Sequence, residues 1–338
     1  MIALDLNHDS DDALMVRAAW LYYVGGLNQE ETAARLGLHR SRVNRLLSEA
    51  RDKGLVSITI QSDLVRLLEV EHRLEAQFGL DFCVTTPPIG FERIGRRRET
   101  TALQAAVARR AVGAAAAHFL KGKLEKGPAT IGVGWGRTLE QMAMQLTGVR
   151  NPEARFVSLM GSLDRNLASN SFEVIQLLAG RVGGQGHFLA LPFVADTESD
   201  RDVFMSQRTV AGTLAVARAA DLHMIGVGEL AADAFLTERG MLSKEDLASL
   251  HAAGAVADTL GHFFDADGGE IDHPLSRRTL AIGLADLRET PVVLIAGGIC
   301  KVRAITALLR SGVVDGLVID GDTALELDEF SRASNGRR

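Results

Sequence analysis

The stretch "LNQEETAARLGLHRSRVNRLL", residues 27–47, sets two short helical patterns on either side of one glycine. Asn28, with Glu31 three residues on, has the form of a capping box; Ala33, Ala34 and Leu36 supply an apolar side, and Gly37 stops the helix. A second helix follows "LGLHRS". In it Val43, Leu46 and Leu47 recur at i, i+3 and i+4 and face inward, which leaves Arg40, Arg42, Asn44 and Arg45 outside. Two short helices joined by a tight Gly-containing turn, the second opening with long polar side chains, form a helix-turn-helix pattern.

Upstream, Asp11 and Asp12 cap a predicted helix through "ALMVRAAWLYYV" whose buried face is Leu14, Ala18, Leu21 and Tyr22; Gly25 and Gly26 end it. Downstream of Gly54, "LVSITI" alternates like a short strand, a wing closing the module. Residues 1–60 are therefore expected to form an all-α, winged helix-turn-helix DNA-binding domain. Arg reads guanine edges, Asn or Gln reads adenine edges, and hydroxyls and helix N-termini grip phosphate. The DNA-binding candidates are accordingly Gln29, His39, Arg40, Ser41, Arg42, Asn44 and Arg45. The competing reading is a solvated basic face on an ordinary three-helix bundle.

Charge distribution separates the two parts of the chain. A net charge of −6 over 338 residues argues against a protein that coats nucleic acid with its whole surface. Yet Arg35–Lys53 holds six basic residues against two acidic ones, which leaves about −10 for the remainder. With 46% hydrophobic and 24% charged residues, 34 glycines and 7 prolines, the composition is that of a folded α/β protein. Its apolar runs are far shorter than the roughly 20 residues that span a bilayer. The acidic "MIALDLNHDSDD" is unlike a secretory signal, so a cytoplasmic protein with no membrane partner is expected. Cys83 and Cys300 lie in apolar stretches and are expected as buried thiols.

In "SDLVRLLEVEHRLEAQFGL", Leu64, Leu67, Leu68, Leu74 and Phe78 outline an amphipathic helix over residues 61–80, either a linker with a dimer contact or a helix docked on the next domain. From residue 81 to 330, apolar strands alternate with helical stretches, from "FCVTTPP" through "ATIGVGWG", "RFVSLMGSL" and "TPVVLIAGG" to "VDGLVID"; residues 331–338 form a tail. Such alternation predicts βα units in a Rossmann-like, mainly parallel sheet, with ligands bound at the carboxyl ends of the strands.

Two strand-to-helix turns carry the ligand chemistry. "IGVGWGRT", residues 131–138, runs a strand into Gly132, Gly134 and Gly136 and then a helix, which suits either phosphate or tight strand-helix packing. "AGGICK" places Gly297 and Gly298 after a strand and offers Lys301 either to a phosphate or to solvent. Asp258 is suited to accept from sugar hydroxyls, and Asn170, Ser171 and Gln176 to add polar contacts. Asp265 and Asp267 resemble a calcium loop only superficially and are expected in a plain turn. No H-E-x-x-H, G-x-S-x-G or P-loop motif occurs, so no metal, cofactor or hydrolytic centre is expected.

These residues resemble the SorC family of sugar-responsive bacterial transcriptional regulators over Ala19–Leu327. The block "AAWLYYVGGLNQEETAARLGLHRSRVNRLLSEARDKGLVSITI" is similar to that family's helix-turn-helix. "GVGWGRTL", "GAVADTLGHFFDADG" with "PLSRRTL", and "AGGICKVRAITALLRSG" are similar to its effector domain. The resemblance implies an effector domain folded like glucosamine-6-phosphate deaminase and ribose-5-phosphate isomerase, a sugar or polyol effector that is phosphorylated, operator DNA as partner, and homo-oligomers, dimers or tetramers. By matching motif, Gly134, Trp135, Gly136, Arg137, Thr138 and Lys301 would hold the phosphate and Asp258 the hydroxyls. Gly161, Ser162, Asn170, Gln176, Gly297 and Gly298 would complete the site. Gly134 stands where members often have Ser, and "LMGSL" replaces a more usual Gly-Gly pair. The expected function is a non-enzymatic repressor of a carbohydrate or polyol catabolic operon. The rival is a sugar-phosphate isomerase or deaminase using Lys301 or Asp258; against it, "GVGELAADAFL" has no His near Glu229.

Overall fold

The computed structural model describes residues 11–56, 64–90, 102–162, 172–232, 234–238 and 240–335. The chain divides into two compact units, 1–61 and 62–338.

In the first unit, α1 (Asp11–Ala19) passes into a wide turn over Trp20–Val24 in which Gly25 N donates to Trp20 O at 2.8 Å. That i→i+5 turn shifts the helical phase, so the buried residues are Met15, Ala18 and Ala19, while Leu14, Leu21 and Tyr22 are half-buried. α2 (Gln29–Leu36) starts on the expected capping box: Asn28 Oδ1 accepts from Glu30 N and Glu31 N, and Glu31 Oε2 accepts from Asn28 N at 2.8 Å. It ends at Gly37, whose φ of +66° lets its own N–H and that of Leu38 close on the last carbonyls of the helix. α3 (Arg40–Asp52) buries Val43, Leu46, Leu47 and Ala50 against Met15, Ala18 and Ala33; Ala34 is exposed. Of the expected wing, residues 57–60 lie outside the described residues.

In the second unit, α4 (Leu64–Phe78) docks on the large domain. Arg73 donates to Asp328 at 2.9–3.2 Å, Glu75 accepts from Cys83 N and Glu71 from Thr85 N. The helix carrying Asp328 continues to Asn335.

Seven strands form one parallel sheet in the order β1 (Phe82–Thr85), β11 (Gly316–Ile319), β10 (Val292–Ala296), β5 (Leu222–Ile225), β2 (Thr130–Val133), β3 (Arg155–Ser158) and β4 (Gln185–His187). β5, β10 and β11 are buried at every residue, as continuous apolar runs covered on both faces must be. The helices include α5 (Ala102–Leu124), α6 (Arg137–Gln145) and α7 (Phe172–Val182). A separate antiparallel sheet of β6 (Gly228–Glu229), β7 (Ala257–Thr259), β8 (His262–Phe264) and β9 (Glu270–Ile271) was not anticipated from the sequence. The strand order sets β10, β5 and β2 side by side, so the turns that leave their carboxyl ends open onto one place.

Candidate functional site

Two sets of residues carry chemistry, one in each unit. On the first, α3 turns Arg40, Ser41, Asn44 and Arg45 outward, with His39 exposed at its N-cap and Gln29 accepting from Arg40 Nε at 3.4 Å. Arg45 sits 3.5 Å from Glu49. Arg42 departs from the expectation. Its Nη2 donates to Asp11 Oδ1 at 2.6 Å, and its buried Nε has no partner among the described residues, so this guanidinium leans back onto α1. Asp12 holds Lys53 at 2.8 Å in the same way and keeps that ammonium above its usual pKa.

On the second, the ends of β2, β5 and β10 enclose a cleft lined by Trp135, Gly136, Arg137 and Thr138, by Gly226–Glu229, by Asp258 and Thr259, and by Lys301 and Arg109. α6 begins at Gly136 with no side-chain cap, so the N–H groups of its first turn face the cleft as a positive end. Lys301 reaches in from the β10 turn, its Nζ donating to Val227 O at 2.8 Å, and burial lowers its pKa. Asp258 lies on β7 directly opposite Gly228 of β6. A Cβ at position 228 would stand 1.8 Å from Asp258 Oδ1, so only glycine leaves room for the carboxyl. Asp258 is 7% exposed, Oδ1 has no hydrogen-bond partner among the described residues, and burial pushes its pKa up to about 7 against the opposing charge of Lys301. A buried acceptor without a partner is costly, and a ligand hydroxyl in the cleft would satisfy it.

The structure brings Trp135, Gly136, Arg137, Thr138, Asp258 and Lys301 together and sets the other candidates apart. Gly134 is spent on the sheet, its N donating to Met224 O at 2.8 Å. Gly161 N and Ser162 N donate to Leu280 O and Leu191 O, beyond Met160, which does line the cleft. Gly298 N donates to Asp320 Oδ2 and Thr323 Oγ1, both at 2.9 Å, so the glycine pair locks the β10 turn and lifts Lys301 into place. Gln176 is not in the cleft: α7 exposes it on a different groove, beside Gly186 and Phe188. Asn170 and Ser171 lie outside the described residues.

Two smaller expectations resolve as well. Asp265 Oδ1 accepts from Asp267 N and Gly269 N, which is a plain turn. Cys83 is buried as expected, but Cys300 keeps an exposed face because its turn leaves the sheet at the cleft; its thiol, desolvated against Glu229, is pushed up to about 11. Among the described residues, no cluster of three or more His, Cys, Asp or Glu could hold a metal, and no helix is long and apolar enough to cross a membrane.

Sequence reasoning missed Arg109 and the 226–229 turn. The latter had a signal, since "MIGVGEL" is another strand followed by closely spaced glycines. Arg109, in an Ala-rich helix, had none.

Known proteins resemble this chain over most of its length. A family model described as "Putative sugar-binding domain" matches residues 62–327. The "Erythritol catabolism regulatory protein EryD" of Brucella abortus is 36% identical over 320 residues, 94% of this chain and 97% of that protein. The "Transcriptional regulator LsrR" of Escherichia coli O157:H7 is 29% identical over 319 residues, 93% of this chain and 94% of that one. The crystal structure of the full-length sorbitol operon regulator SorC from Klebsiella pneumoniae matches with a TM-score of 0.72 at 25% identity, covering 95% of this chain and 99% of that one.

Proposed function

The chain belongs to the sugar-binding-domain family represented by these transcriptional regulators, and on that premise we propose that it is a DNA-binding regulator of a carbohydrate or polyol catabolic operon. Its first unit holds operator DNA through Arg40, Ser41, Asn44 and Arg45, and its cleft takes a sugar or polyol effector that carries a phosphate. Asp258, whose buried Oδ1 has no hydrogen-bond partner among the described residues, lines a cleft that also holds Lys301 and the open end of α6, and this is the observation that carries the effector reading. A carboxyl suited to hydroxyls and a positive end suited to an anion are together what a phosphorylated polyol needs. The protein works without catalysis, in keeping with the naming of its relatives as regulators.

One α3 offers a small electropositive patch on an acidic chain, so tight binding requires two or more copies at half-site spacing, as a dimer or tetramer. Effector binding favours the assembly that releases the operator, because a ligand shifts only an equilibrium between states it binds unequally. A gel-shift assay with DNA from the chain's own upstream region, with and without polyols and polyol phosphates, tests this. A sequence-selective complex weakened by one such compound supports it; no selective complex contradicts it.

A further inference from the structure

We propose that the helix Gly321–Asn335 ties the cleft to α4, and that Arg73, through Asp328, is the positioning residue by which an effector acts on the first unit. This rests on the effector reading of the cleft.

The start of that helix is fixed to the turn that carries Lys301. Asp320, immediately before it, accepts from Gly298 N through Oδ2 at 2.9 Å and from Thr323 N through Oδ1 at 3.0 Å. One buried carboxylate therefore caps the helix and holds the β10 turn together. Thr323 Oγ1 accepts from the same Gly298 N at 2.9 Å, and Lys301 N donates to Gly298 O at 2.9 Å. The fit leaves no slack, since a Cβ at Gly297 would stand 2.6 Å from Asp320 Oδ2. A ligand that draws on the Lys301 ammonium pulls on the turn that the helix start grips.

Eight residues on, about 12 Å along the axis, the same helix grips α4. Buried Asp328 takes both Nε and Nη2 of Arg73 at 2.9–3.2 Å. Val70 and Leu74 dock α4 through apolar contact, which is non-directional, whereas the paired donors of a guanidinium fix its height and rotation. An apolar pair of similar volume is often as stable as a buried ion pair, so the contribution of this one is a defined position. The other polar ties of α4 lead to the same place. Glu71 accepts from Thr85 N and Glu75 from Cys83 N, both on β1, and β1 pairs with β11, the strand that runs into Asp320. The chain enters α4 at Leu64, three residues after the first unit ends. A shift of the cleft turn thus reaches the segment that leads to the first unit through one helix.

The test uses the full-length chain in a cycle of Asp320→Asn, Arg73→Ala and the double variant, read by hydrogen exchange of the α4 amides with those of β3 as reference. Asn offers one acceptor oxygen where Asp320 uses two, and Arg332, 3.2 Å from Asp328, remains when Arg73 is removed, so neither variant strands a buried charge. Asp320→Asn should speed α4 exchange about tenfold with β3 unchanged, the scale of one lost charge-assisted hydrogen bond, and should no longer do so once Arg73 is replaced. Substitutions this far apart otherwise act independently, within about twofold. An effect of Asp320→Asn that is equal in both backgrounds, or absent from both, overturns the tie. Labelled upstream DNA then reads the regulation, with a panel of polyols and polyol phosphates that includes erythritol and erythritol 4-phosphate. Arg73→Ala should bind the DNA and the active compound within about twofold of wild type yet lose the weakening of the complex, and Arg73→Lys should restore part of it. Full weakening in Arg73→Ala overturns the role of Arg73. A coupled cycle in a chain whose DNA complex ignores the whole panel keeps the tie and overturns the effector reading.

Discussion

Arg42 of α3 donates to Asp11 of α1 at 2.6 Å, so one of the basic groups on the helix proposed to face DNA is already matched within the chain. The pair is exposed, with 41% and 72% of the two side chains accessible, and contributes little to stability. Its effect is on charge, since a carboxylate beside the guanidinium opposes its use as a phosphate contact. Asp11→Asn is expected to tighten binding to random-sequence DNA and to steepen the fall of log K with log salt by about one unit, one more phosphate contact. Anisotropy titrations across a salt series check this; an unchanged slope contradicts it.

The proposed base reading falls to the residues α3 turns outward. Asn44→Ala should cost about 1–3 kcal/mol on the preferred operator and relax preference at one base pair, as loss of a bidentate adenine contact does. A uniform loss on every sequence would make Asn44 a phosphate contact instead. The comparison to run is a panel of single-base operator variants against both proteins.

Asp258 couples the cleft to pH. Its folded value of about 7 exceeds the usual carboxylate value, so the folded chain holds this proton more tightly than the unfolded one. The stability it contributes is full below about pH 4 and is lost as pH rises through 7. Asp258→Asn removes that loss. Relative to the wild type, the variant's thermal midpoint should rise more at pH 8 than at pH 5, by the equivalent of a few kcal/mol, while its effector affinity falls. An offset between the two proteins that is the same at both pH values speaks against a buried, proton-holding Asp258.

Gly228 exists for the room it gives Asp258. Gly228→Ala would set a methyl 1.8 Å from Oδ1 and must displace the Asp258 carboxyl from its place, at a cost of about 1–3 kcal/mol. Effector response should be lost while operator binding is kept, because the first unit is untouched. A variant that melts and responds like the wild type would show that the position of the Asp258 carboxyl does not matter to the cleft.

What was legible in the sequence was local. Asn28 with Glu31, Gly37 and the Val43–Leu46–Leu47 spacing each fix their element through neighbours within four residues, and the apolar runs of β2, β5 and β10 mark strands whose ends become the cleft. Contacts distant in sequence were not legible. Asp11 meets Arg42 across 31 positions, Asp258 faces Gly228 through a strand pairing that no periodicity announces, and Arg109 reaches the cleft only because α5 and α6 close at Gly113. Gln176 fails for the complementary reason: its polarity suggested a ligand contact, but the buried face of α7 is set by Val174, Ile175 and Leu178, which turns Gln176 away.

In the proposed regulation the cleft acts through Lys301, whose ammonium lies 2.8 Å from Val227 O. The deciding measurement is anisotropy of labelled upstream DNA with wild-type protein and with Lys301→Ala, each titrated with polyol phosphates. The wild type should form a selective complex that a polyol phosphate weakens about tenfold or more, the scale of a typical allosteric coupling. Lys301→Ala should bind the same DNA within about twofold of wild type and fail to release it. Release of the variant at the wild-type concentration of polyol phosphate, or a wild-type complex with no sequence preference, would contradict the assignment of this chain as an effector-controlled regulator.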